Sequence, residues 1–68
     1  MLPVKPFKRM MKLYTGKRVS EAAAIELRDY VEKKLSLLFK TAAILARHSG
    51  RKTVLSSDIK LARKTLNL

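Results

Sequence analysis

Arg47, His48, Arg51, Lys52 and Thr53 lie within one short stretch, and Asp58 follows soon after. Guanidinium, ammonium and hydroxyl groups at this density suit phosphate oxygens, which they hold by charge-assisted hydrogen bonds. Lys17 and Arg18 repeat the basic pattern earlier in the chain, and Arg9 and Lys12 precede them. Catalytic chemistry is missing. His48 is the single histidine and has no partner for an acid–base or metal site, cysteine is absent, and no nucleophile–base set, paired carboxylates or glycine-rich phosphate loop occurs. No enzymatic activity, cofactor, metal or small-molecule substrate is expected.

Over 68 residues, 16 Lys and Arg stand against 5 Asp and Glu, a net charge of +11. That exceeds what solubility requires and points to a polyanion: nucleic acid, an anionic membrane surface or a very acidic protein. No apolar run approaches the roughly 20 residues that span a bilayer. Residues 2–13 are interrupted by two prolines and four basic residues, which does not fit a signal peptide, so a cytoplasmic location is expected. With 47% hydrophobic residues the chain has apolar surface to hide, and at this length it has little core of its own to hide it in. Self-association is the expected remedy.

The elements that must position the basic groups can be read from punctuation and periodicity. Pro3 and Pro6 bracket an extended lead-in. Phe7, Met10, Met11 and Tyr14 recur at spacings of three and four, predicting a short amphipathic helix over about residues 6–14 with that stripe as core and Lys8, Arg9 and Lys12 off it. Gly16 ends it. Ser20 is a good N-cap with Glu21 in the first turn, and from there to about His48 neither Pro nor Gly interrupts Leu27, Val31, Leu35, Leu38, Ala42 and Leu45. Such a helix is about 40 Å long at about 1.5 Å per residue, too long to fold back on itself in so small a protein. Gly50 is its natural stop. Ser56 or Ser57 can cap a third helix with Asp58 in its first turn and Ile59, Ala62 and Leu66 on its buried edge. Val19 and Val54, in the two loops, could pair as a short bridge.

This arrangement resembles the minimal archaeal-type histones over essentially all 68 residues. The resemblance rests on Leu2-Pro3, on Arg18-Val19-Ser20 opening the long helix, on Leu45-Ala46-Arg47-His48 closing it, and on Gly50-Arg51-Lys52-Thr53-Val54 with Asp58-Ile59. It implies one all-α histone-fold domain over residues 1–68, with two chains crossing their long helices in a handshake dimer. The first loop of one chain would then lie beside the second loop of its partner, placing Lys17, Arg18, Lys52 and Thr53 together at each end, with Arg9 and Lys12 of the two first helices between. Arg18 matches the family arginine that enters the minor groove, where a planar guanidinium needs no base-specific partner. Lys52 and Thr53 match phosphate contacts of the second loop. Nothing matches a reader of base identity in the major groove, so a preference for bendable duplex is implied.

The resemblance further implies an intramolecular Arg51–Asp58 pair, and a dimer–dimer surface of Leu45, His48 and Asp58 that would build tetramers or larger assemblies on double-stranded DNA. A histidine there would make dimer association sensitive to mild acid. The implied function is a nucleoid-associated histone that compacts DNA, with a paralogous chain as a possible heterodimer partner. Leu37 and Phe39 lie off the main stripe; either the partner and flanking helices cover them, or they form an additional oligomer surface through which dimers bridge or coat DNA. A heterodimeric interaction module and a cationic membrane-surface peptide are the remaining alternatives. Glu21, Glu26, Asp29 and Glu32 are expected to form surface pairs with Arg28 and Lys33, and Arg63 and Lys64 a solvated face. Tyr14-Thr15-Gly16-Lys17 is bulkier than the Ala-Gly-Ala of many relatives, Leu55 stands where many have a polar residue, and Lys34 where many have an apolar one.

Overall fold

The computed structural model describes all residues, Met1–Leu68, as three α-helices: α1 Lys5–Thr15, α2 Glu21–His48 and α3 Ser56–Leu66. No strand forms, and neither Val19 nor Val54 enters a bridge. The chain divides into two compact units, Met1–Lys33 and Lys34–Leu68, and α2 contributes one half to each.

In the first unit α1 begins one residue before Pro6, whose fixed φ suits a first turn. It ends at Gly16, where φ is 65° and the N–H is donated to the Lys12 carbonyl at 2.9 Å. Thr15 tightens the exit: its Oγ1 donates to the Met11 carbonyl and accepts the Lys17 N–H. Ser20 caps α2 as its type suggests, accepting the Ala23 N–H at 3.0 Å on Oγ. Ala24 and Arg28 are buried, and Phe7, Met11, Leu27 and Val31 are half-buried. Met10, expected in the core, is 51% exposed, and Tyr14 on the same stripe is 81% exposed. Within one chain, α1 has only one face covered, and the positions on either side of Phe7 and Met11 are left to solvent.

In the second unit Ala42, Ala46 and Ala62 are sealed from solvent, and Leu35, Leu38, Leu45, Ile59 and Leu66 are half-buried. The end of α2 closes with two backbone hydrogen bonds, Gly50 N–H to the Arg47 carbonyl at 2.9 Å and Arg51 N–H to the Ala46 carbonyl at 3.0 Å, with Gly50 at φ 72°. This is the paired capping that a left-handed residue permits. Asn67 closes α3 in the same way at φ 58°. The start of α3 departs from expectation. Neither Ser56 nor Ser57 caps it; both lie inside the helix, Leu55 holds the cap position, and the Asp58 carboxylate reaches back to the Leu55 N–H at 2.8 Å. An anion already held nearby displaces a serine hydroxyl from the role, and it also suits the positive end of the helix dipole.

No large side chain of the chain is fully buried. Four alanines make the whole of its sealed apolar core, while Tyr30, Leu37, Phe39, Ile44 and Leu61 stay exposed.

Candidate nucleic-acid interface

Arg51 organises the second loop. Its Nη1 donates to Asp58 Oδ2 at 2.8 Å and to the Thr53 carbonyl at 3.0 Å, and its Nη2 donates to Asp58 Oδ1 at 2.9 Å. One planar guanidinium therefore ties the loop backbone to the first turn of α3, a geometry that an ammonium could not reproduce. Asp58 is 5% exposed and accepts a third bond, from Leu55. The Arg51 hydrogen bonds foremost, then the Leu55 N–H, hold its carboxyl at about 2, below the ordinary value of 3.8. The same pairing with Asp58 raises Arg51. With Arg51 committed internally, Lys52 and Thr53 are exposed at the loop surface.

Lys17 and Arg18 are exposed in the first loop, and neither has an ion-pair partner. On α1, which has no acidic residue, Arg9 and Lys12 share a shallow groove with Lys5 and Lys8. Of these four, Lys8 alone is neutralised, by Glu21 at 3.1 Å. Unpaired cations suit a polyanion, because no internal pair must be broken for them to reach phosphate. Leu45 is half-buried, and His48 is exposed with no hydrogen bond from its ring within the chain. Asp58 is turned to Arg51 rather than to His48.

Sequence reasoning missed one polar site. Arg28 and Glu32, expected among surface pairs, instead hold the N-terminal segment: Leu2 donates its N–H to Glu32 Oε1 at 2.7 Å and accepts from Arg28 Nη1 at 3.0 Å on its carbonyl. Asp29 does pair with Arg28, through Nε at 2.7 Å, while Glu21 pairs with Lys8. The i, i+4 spacing of Arg28 and Glu32 is visible in sequence, but their backbone target is not.

Residues 1–62 match the family described as histone-like transcription factor (CBF/NF-Y) and archaeal histone. The chain belongs to this family. Its three helices without strands are the all-α histone fold. Among relatives, a subunit of the archaeal histone HAN1 from Thermococcus zilligii is 43% identical over 63 residues, covering 93% of this chain and 94% of that one. Probable archaeal histone 3 of Methanocaldococcus jannaschii is 38% identical over 61 residues, with 90% and 91% covered. DNA-binding protein HmvA of the same organism is 36% identical over 74 aligned positions that take in all of this chain and 77% of that one.

Proposed function

We propose that this histone-fold chain is a non-enzymatic DNA-binding protein that dimerises and compacts double-stranded DNA with little sequence preference. The observation that carries the reading is the set of exposed, unpaired cations Arg9, Lys12, Lys17, Arg18 and Lys52 on a chain of the histone family whose net charge is +11. The names of two relatives, an archaeal histone and a DNA-binding protein, support it. Affinity then comes from phosphate neutralisation and counterion release, with Arg18 entering a minor groove and Lys52 and Thr53 meeting phosphates.

Dimerisation by a handshake of the long helices is supported by the incomplete core. The chain exposes 5679 Å², against roughly 4,300 Å² expected of a folded monomer of this mass. The large side chains left open along α2 call for a second chain. Residues 1–68 form one histone-fold domain in this reading, and Leu45, His48 and Asp58 are the surface for joining dimers into tetramers. No helix is long and apolar enough to cross a membrane, and we place the protein on chromosomal DNA in the cytoplasm.

The test is nuclease digestion of protein loaded on long duplex at several ratios. A ladder of protected lengths growing by one dimer footprint is expected, and absence of protection would overturn the reading. Leu37 and Phe39, 47% and 56% exposed, favour a second architecture in which dimers meet through another face and bridge or coat the duplex; protection without a ladder is its signature. A paralogous chain as heterodimer partner is compatible with the name of the Thermococcus zilligii relative, which makes it one subunit of its histone, and mass measurement of the protein purified from its own cells decides it.

A further inference from the structure

Helix α1 is held by half-buried side chains only, Phe7 and Met11 among them. It has no fully buried side chain, its N-cap residue Val4 offers no side-chain capping oxygen, and in its ion pair to α2, Lys8 with Glu21, the carboxylate is exposed and the pair therefore worth little. Helix α1 nevertheless carries Lys5, Arg9 and Lys12, cations that bind a duplex in register only if the helix is fixed.

What fixes its leading end is a fork of two side chains one turn apart on α2. Glu32 Oε1 accepts the Leu2 N–H at 2.7 Å, Arg28 Nη1 donates to the Leu2 carbonyl at 3.0 Å, and the Met1 ammonium lies 3.7 Å from the same Glu32 oxygen. Both backbone groups of one residue are thus satisfied by side chains, with Lys5 three residues further along. Arg28 is 9% exposed, and Asp29 takes its Nε–H at 2.7 Å, which offsets the cost of burying the charge and sets the guanidinium plane. A guanidinium so enclosed is turned inward and is not offered to phosphate. Pro3 and Pro6, with fixed φ, stiffen the short connection from the fork to the first turn of α1.

We infer that Arg28 and Glu32 are positioning residues for DNA binding: by clasping the Leu2 backbone they hold the start of α1 so that Lys5, Arg9 and Lys12 present together. This rests on the DNA-binding function proposed above. Loosening the clasp leaves the cations on the chain but makes their ordering a cost of binding, so that some of the phosphate contacts of α1 are no longer made.

The experiment is a salt titration of binding to a mixed-sequence duplex, followed by fluorescence anisotropy, with circular dichroism on the same samples. Arg28→Met removes the donor to Leu2. Leu2→Pro removes the N–H given to Glu32 without altering α2 or the net charge, so it keeps the test decisive if Arg28→Met does not fold. Each folded variant is expected to bind about 5- to 10-fold more weakly, with the slope of log K against log salt flattened by about one to two phosphate contacts. Arg28→Lys, which keeps a cationic donor for the Leu2 carbonyl but cannot reach Asp29 with the same planar group, is expected to recover part of both quantities, a recovery that loss of packing would not produce. Wild-type affinity and slope in folded Arg28→Met and Leu2→Pro overturn the clasp while leaving the DNA-binding reading standing. A wild-type protein that fails to bind the duplex overturns both.

Discussion

Asp58 receives both prongs of Arg51, at 2.8 and 2.9 Å, and its Oδ2 also takes the Leu55 N–H at 2.8 Å. Loop closure and the cap of α3 therefore depend on one carboxylate remaining ionised. Its pKa is lowered in the folded chain to about 2, so the stabilisation is fully present above the ordinary value of 3.8 and is lost as pH falls from there toward 2. Melting curves of the wild type and Asp58→Asn, taken across that range, should differ most above pH 4 and converge near pH 2. A constant gap at every pH would show that Asp58 does not act through its charge.

Gly50 tests the loop from its backbone side. At φ 72° it sits in the left-handed region, and a Cβ there would meet no atom within 4 Å, so substitution carries a conformational cost without a clash. Gly50→Ala should lose about 1 kcal/mol in denaturant unfolding, and Gly50→Asn less, since asparagine tolerates this region. Equal stability of the two variants would argue against the backbone as the source.

Where backbone chemistry is local, the sequence was a sufficient guide: Gly16 and Gly50 stop helices, and Ser20 starts one. Helical spacing likewise placed all three helices, although the extended lead-in expected between Pro3 and Pro6 is already helical from Lys5, because a proline fits the first turn. Local signals misled where a tertiary partner intervened. Ser56 and Ser57 look like caps, but Asp58, held by Arg51 from across the loop, satisfies Leu55 instead. Met10 and Tyr14 share the spacing of Phe7 and Met11, yet periodicity does not say how many neighbours a helix has, and one chain covers only part of that stripe. That Arg9, Lys12, Lys17, Arg18 and Lys52 are exposed follows from their type and position, whereas a role for each at a DNA interface is what the family resemblance implies. The Leu2 clasp was not readable, because a backbone carbonyl and N–H have no sequence signature.

Ala42 is sealed completely from solvent. A larger side chain at a sealed position must displace its neighbours, so Ala42→Leu should destabilise by about 1 to 3 kcal/mol through overpacking. Phe39→Ala is the informative contrast. Phe39 is exposed in the single chain, so a loss of similar size there, growing with dilution, would mean that a second chain covers it. Denaturant melts at two protein concentrations separate the cases, because only an association-linked loss depends on concentration.

Arg18 and Lys52 lie in different loops, one at either end of α2, and both are exposed cations without internal partners. Neither contributes to the Arg51–Asp58 lock, so Arg18→Ala with Lys52→Ala should leave the melting temperature nearly unchanged while weakening DNA binding. If both cations neutralise phosphates, a dimer loses up to four contacts, and at about 0.9 per contact the slope of log K against log salt should flatten by about three to four. Anisotropy titrations over a range of salt measure that slope directly. Arg63 and Lys64, exposed on α3, provide the control: removing the same amount of charge there should flatten the slope far less. Similar slopes for the two double variants would mean that binding follows net charge alone and would remove the two loops from the interface.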